Sequence, residues 1–228
     1  MRKRPIGQKV DDNNPQEEET ATQVCTSACL SLWDSFLMLD HQFTTHLAVC
    51  ATKESPLGNL RPVMKILEIS CHGVPWLLGT LILFFFSHKP QDVEVSVNMF
   101  AALVFDIIIV GLLKMTFRRG RPSLNVMDMF AAPSVDKFSF PSGHATRATM
   151  MGIFLCLHLF TNRFYMLVTF LWSISVCVSR ILLGRHHIFD VVCGCLVGMV
   201  SYWIFLKLWI SQETCLVYLD TYFGHVHL

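Results

Sequence analysis

A serine, a glycine and a histidine stand in a row in Pro141-Ser142-Gly143-His144, at the mouth of an apolar run that begins at Ala145. These types suit an anion. The serine hydroxyl donates a hydrogen bond, and glycine lets the backbone come close to a ligand. The first-turn N–H groups of a helix point outward without intrahelical partners. Histidine adds a group that carries a proton near neutral pH. Pro-Ser-Gly is also ordinary turn chemistry, so the meaning of the tetrapeptide depends on what else reaches it.

Two further clusters bring matching chemistry. In Lys114-Met115-Thr116-Phe117-Arg118-Arg119-Gly120-Arg121-Pro122 the outer cations Lys114 and Arg121 are seven positions apart. That is two helical turns, so both fall on one face if the helix runs on to the proline that stops it. In the stretch from Ser179-Arg180 to Asp190, His186 and Asp190 are i and i+4. Such neighbours on a helix face let a carboxylate fix an imidazole's tautomer. The inventory is three cations, a hydroxyl, a backbone donor, two histidines and an aspartate, without an acidic cluster for a divalent metal. It suits a phosphate oxyanion held by charge-assisted hydrogen bonds. One histidine could attack phosphorus while the other serves the leaving group. Neither a metal nor a cofactor is expected.

The elements that must position these clusters lie in a bilayer. Hydrophobic residues make up 53% of the 228 and charged residues 15%, with a mean hydropathy of +0.47. An ordinary soluble domain is less apolar than that, and a net charge of +1 gives no reason to expect a nucleic-acid partner. Met1-Arg2-Lys3-Arg4 is followed by no apolar core for more than twenty residues, so it does not read as a secretory signal. Of nine cysteines, Cys156, Cys177, Cys193 and Cys195 lie inside apolar runs, where cysteine acts as a small hydrophobe. Cys25 and Cys29 have no second ligand pair for a zinc site, and acylation suits them better.

Residues 1–24 read as a disordered polar tail, 25–210 as the membrane domain and 211–228 as a C-terminal tail. Residues 28–50 set Leu30, Trp33, Leu37 and Leu47 against Asp34, His41 and Thr45, the pattern of an interfacial amphipathic helix. Five stronger segments follow, at 71–87, 97–113, 145–160, 164–183 and 188–210, each near the roughly 17–25 residues that cross a bilayer. The expected fold is therefore all-α, a multi-span helical bundle of about five transmembrane helices plus the interfacial one. Parity then puts the loop from Lys114 to His144 and the stretch from Arg180 to Asp190 on one membrane face. Lys53, Arg61, Lys65, Arg118, Arg119, Arg121, Lys137 and Arg185 lie on that face, against Lys89, Arg163 and Lys207 towards the other. The positive-inside rule assigns the richer face to the cytosol.

The three clusters together, K-x6-R-P, P-S-G-H and S-R-x5-H-x3-D, resemble the pattern of the type 2 phosphatidic acid phosphatase superfamily, which also contains vanadium haloperoxidases. Cys71-His72-Gly73-Val74-Pro75-Trp76, Met127-Asp128-Met129-Phe130 and Ser134 to Phe140 look like its polyisoprenoid diphosphate phosphatase branch, the presqualene diphosphate phosphatase type. The resemblance spans roughly Asp40 to Ile210. It implies that His186 is the nucleophile, that Asp190 holds its ring, and that His144 protonates the leaving group and then activates water. Lys114, Arg121 and Arg180 would clamp the phosphoryl oxygens with the Ser142 hydroxyl and the Gly143 N–H. His187 is the rival nucleophile by adjacency. The implied substrates are presqualene, farnesyl and geranylgeranyl diphosphate, in the endoplasmic reticulum and nuclear envelope. A broad lipid phosphate phosphatase acting on phosphatidate, lysophosphatidate or sphingoid phosphates is the near alternative, and an inactive membrane scaffold the non-enzymatic one. Arg118, Arg119 and Lys137 are candidates for a second phosphate. Asp106 and His158, inside apolar runs, are expected to pair with neighbouring helices. Gly194 and Gly198 are expected to mark close helix packing. Oligomeric state is not legible.

Overall fold

The structure, a computed structural model, describes residues 15–87, 89–128 and 137–223, with side chains from residue 31 to 221. Residues 1–14 of the polar tail lie outside it. So do Met129, Phe130 and Ser134 to Asp136 of the branch motifs. The described residues form helices and no strand: α1 (Pro15–Leu47), α2 (Arg61–Ser70), α3 (Gly73–Phe86), α4 (Pro90–Phe117), α5 (Gly143–Phe154), α6 (Arg163–Leu182), α7 (Ile188–Phe205) and α8 (Gln212–Phe223). By contacts the chain divides after Leu39, and residues 40–228 form the larger unit.

Local chemistry sets the helix ends. Proline near the first turn starts α2 and α4, where its missing N–H costs nothing. His72 caps α3 by accepting from the Val74 N–H at 3.3 Å, and Asn162 caps α6 through the Phe164 N–H at 2.9 Å. α6 ends at Gly184, whose φ of +64° is the left-handed turn that glycine makes at least cost.

Three helices have the length and apolarity to cross a membrane: α4, α6 and α7 with its extension to Leu208. A fourth span arises if the pair Gly58–Ser70 and Gly73–Phe86, bent by 47°, counts as one. α1 does not meet the same criterion. The difference from five lies at residues 145–160. Here α5 continues through a π-turn at Leu155–Leu159 and packs against α4, α6 and α7. Met150, Met151 and Phe154 are buried with Met99, Leu103, Tyr202 and Phe205 in the principal core. Enclosed in this way, α5 needs no continuous lipid-facing surface. It carries Arg147, which pairs with Asp106 of α4 at 2.9 Å. His158 meets the Tyr202 hydroxyl at 2.9 Å. Both polar residues of the apolar runs thus pair with neighbouring helices, as expected. Gly194 and Gly198 set the contact of α7 with α5: a Cβ at 194 would lie 2.8 Å from the Ser142 carbonyl oxygen, and one at 198 would collide with that of Thr146. Helix also takes in residues 15–24 and 212–223 of the two segments read as tails. α8 packs on α4 with Cys215 buried.

Candidate active site

The three clusters meet at one end of the bundle, although not by the route expected. α4 stops at Phe117 because Arg118 takes the left-handed conformation, φ 47°, so the helix does not reach Pro122 and Arg121 lies in the loop beyond. The loop returns Arg121 to the site, where its guanidinium donates to the Arg185 carbonyl at 3.0 Å. Lys114, buried in the last turn of α4, donates to the Phe138 carbonyl at 3.0 Å. Helix end and loop also meet at Phe138 and Ser139, whose own N–H donates to the Arg119 carbonyl at 2.8 Å.

Ser142 is the N-cap of α5, and its own N–H donates to the Asp190 carbonyl at 3.0 Å. Gly143 is the first helical residue. Its missing Cβ leaves room for Val110, which a side chain there would meet at 3.2 Å. The tetrapeptide is thus a helix N-terminus held against the start of α7, the geometry in which backbone N–H groups face an anion.

His186 and His187 are adjacent and differently bound. His186 Nδ1 lies 2.8 Å from the Ser139 carbonyl oxygen. A carbonyl only accepts, so Nδ1 carries the hydrogen and Nε2 keeps its lone pair. Burial, with Arg121, Lys114 and Arg180 nearby, holds the His186 pKa well below the ordinary imidazole value. The ring is therefore neutral at pH 7 with a nucleophilic nitrogen.

Asp190 does not hold this ring. Its Oδ2 accepts from the His187 backbone N–H at 2.8 Å and faces His187 Nδ1 at 3.0 Å, while its Oδ1 accepts from Arg119 at 2.6 Å. The reason is where α7 begins. His187 is the N-cap and Asp190 the N3 residue, and N3 carboxylates reach back to the N-cap N–H. His186 precedes the helix, so helical i, i+4 adjacency does not apply to it. Arg119 also donates to Asp40 at 2.6 Å. Asp40 and Thr44 of α1 in turn accept from the Phe189 and Ile188 N–H groups at 3.0 and 3.1 Å.

His144 Nε2 and Arg180 Nε are buried and have no hydrogen-bond partner among the described residues. Buried polar atoms are rarely left so, and both belong to residues expected to face substrate. Glu68 of α2 lies 3.2 Å from Arg180 and 3.3 Å from Arg185. Arg185, fully buried, also donates to Asp128 at 2.6 Å and to the Val126 carbonyl. Arg61 and Lys65 complete the set on Asp128, at 3.0 and 2.7 Å. Burial pushes the Asp128 carboxyl up, but the hydrogen bonds from Lys65, Arg185 and Arg61 outweigh it and hold the pKa below the usual carboxylate range.

Sequence reasoning missed Ser139, Asp40, Thr44 and Glu68. Only the two carboxylates left a signal, as charges inside or beside apolar segments. Arg119, a candidate for a second phosphate, is bound to two carboxylates instead. Arg118 Nε donates to the Met115 carbonyl at 2.9 Å, and Lys137 is exposed.

A family model described as the PAP2 superfamily matches residues 95–213. A protein of Arabidopsis thaliana named "Probable lipid phosphate phosphatase beta" is 35% identical over 169 residues, 61% of this chain and 76% of that protein. A lipid A 4'-phosphatase of Porphyromonas gingivalis is 28% identical over 137 residues, 55% of this chain and 57% of its own length. Among solved structures, the transmembrane PAP2 type phosphatidylglycerolphosphate phosphatase of Bacillus subtilis aligns with a TM-score of 0.56 at 20% identity, covering 76% of this chain and 86% of that one. That likeness bears on the fold alone.

Proposed function

This chain belongs to the PAP2 superfamily and is a multi-pass membrane lipid phosphatase, and from that premise we propose that it hydrolyses polyisoprenoid diphosphates through a phosphohistidine on His186. The observation that carries the mechanism is the buried His186 ring, whose Nδ1 donates to the Ser139 carbonyl and so leaves Nε2 its lone pair. Nε2 attacks the terminal phosphorus and forms a P–N bond. The bond to the bridging oxygen breaks, its electron pair leaves on the prenyl monophosphate, and His144 supplies a proton to that oxygen. Water then gives a proton to His144 and attacks phosphorus, the P–N electron pair returns to Nε2, and phosphate departs. Lys114, Arg121 and Arg180, with the Ser142 hydroxyl and the Gly143 N–H, bind the equatorial oxygens.

The diphosphate substrate rests on the branch resemblance at Cys71 to Trp76 and Ser134 to Phe140. The broad lipid phosphate phosphatase is the second reading, favoured by the name of the Arabidopsis relative. Phosphate release in detergent micelles with chelator present separates them. Farnesyl and presqualene diphosphate are expected to exceed phosphatidate as substrates, and His186→Ala to be inactive on all three. Equal rates on phosphatidate would favour the broad enzyme. The excess of cations on the active-site side supports a cytosolic face, and an endoplasmic reticulum membrane accords with the branch. A glycosylation tag inserted in the link between α3 and α4, at residues 87–89, tests the face: modification there supports it, and modification at the 118–128 loop reverses it.

A further inference from the structure

We propose that His72, at the break between α2 and α3, binds the inner phosphate of the diphosphate and so sets the preference for diphosphates over monophosphates. The inference rests on the substrate reading above and adds a residue to it. In phosphoryl transfer the attacking and leaving atoms lie roughly in line across phosphorus. With His186 attacking the terminal phosphate, the leaving prenyl monophosphate emerges on the opposite side, next to the histidine that protonates it. The inner phosphate is therefore recognised beside His144, away from His186.

His72 stands there. Its ring centroid is 6.3 Å from that of His144, tilted by 57°, and the orphaned Nε2 of His144 belongs to the same pair of rings. The position is built rather than incidental. The Cys71 thiol donates to the His144 carbonyl at 3.4 Å, and Arg147 donates to the Cys71 carbonyl at 3.4 Å. Gly73 packs on the Arg147 guanidinium, with no side chain between them. The break is thus tied to the first turns of α5 on both sides of His72. Its ring is oriented too. Nδ1 accepts from the Val74 N–H, so the neutral ring carries its proton on Nε2 and is a donor. Arg147, which lies on the same side of the break, pairs with Asp106.

The test is the ratio of kcat/KM for farnesyl diphosphate to that for farnesyl monophosphate, on full-length protein in micelles. His72→Asn keeps a residue able to cap α3 but shortens the donor. It is expected to lower the ratio by roughly 10- to 100-fold, the worth of a hydrogen bond to a charged group. His72→Gln, which restores an amide donor at greater reach, is expected to recover part of it. A fold defect would depress both substrates together and leave the ratio alone, and that outcome overturns the proposal. So does an unchanged ratio in an active His72→Asn enzyme. A wild-type enzyme that does not prefer the diphosphate sinks the substrate reading first, and the role of His72 with it.

Discussion

His186 and His187 share a backbone and occupy opposite electrostatic settings. Around His186 the ring is held by a neutral carbonyl, and three cations reach it from α4, α6 and the loop between α4 and α5. Around His187 the chain supplies its own carboxylates: Asp190 takes His187 and Arg119, and Arg119 takes Asp40 as well. In the proposed mechanism the first arrangement is a cradle for an anion that comes and goes. The second is a clamp already satisfied by the protein. On that reading the same residue types do chemistry in one place and hold helices together in the other, and what separates them is whether the anion is supplied by the substrate or by the chain.

The widest test of that division is the nucleophile. His186→Ala is expected to lose at least ~10⁴-fold in kcat, as removal of a reacting group does, while His187→Ala loses on the order of tenfold. If a folded His187→Ala enzyme is as dead as His186→Ala, the clamp and the cradle are not distinct. Next in size is Arg180→Ala, for which a fall of roughly 10²–10³-fold in kcat is expected, the scale for one donor to a developing charge. Little change would move Arg180 into the structural set with Glu68.

The clamp answers to stability instead. Arg119→Met leaves buried Asp190 and Asp40 carboxylates without their cation and is expected to cost about 3 kcal/mol in denaturant unfolding, with Asp40→Asn restoring part of it. Full stability in Arg119→Met would show that the bridge is worth no more than an exposed pair. Gly198→Ala sets a Cβ against the Thr146 carbonyl and is expected to cost about 1–3 kcal/mol by overpacking. Unchanged melting would mean that α7 can slide away from α5 freely.

The smallest effect is a displacement in pH. Because the His186 pKa is depressed by burial and by its cations, the acid limb of kcat/KM lies below the ordinary imidazole range. Removing a cation with Arg121→Gln raises the pKa, so in residual activity the limb moves to higher pH. A limb that stays put would mean that another group governs it. The linkage sign agrees: the unfolded chain takes up the proton first as pH falls, so the stability this ring contributes is present above about pH 6.5 and is lost towards acid.

Much of the cradle was legible because its residues act through type and order. Parity alone put Lys114, His144 and His186 on one face, and hydropathy found the runs that carry them. What escaped depends on register at helix ends. Whether Asp190 serves His186 or His187 turns on one residue, the one at which α7 starts, and two adjacent histidines offer spacing both partners. Arg118 ending α4 early is equally invisible, since a left-handed arginine has no sequence signature. Nothing in the spacing around Asp40 shows that it accepts an N–H from a helix some 149 positions away. The enclosure of α5 was hidden for a different reason, since an apolar run of that length looks the same whether lipid or other helices surround it.

That distant cap bears on how the protein is made. Asp40 and Thr44 leave the ribosome long before Phe189 and Ile188, whose N–H groups they accept. Until α7 has been inserted, the Thr44 hydroxyl and Asp40 Oδ1 lack the N–H groups they accept, with Arg119 alone on Asp40 Oδ2, and the proposed nucleophile has not yet been brought to the site. Arrival of the final long span therefore closes the cap and delivers His186 in the same event. A stalled or shortened chain ending before α7 would keep the Arg119–Asp40 pair but leave Thr44 and Asp40 Oδ1 without their α7 donors, a mark by which unfinished copies differ from finished ones.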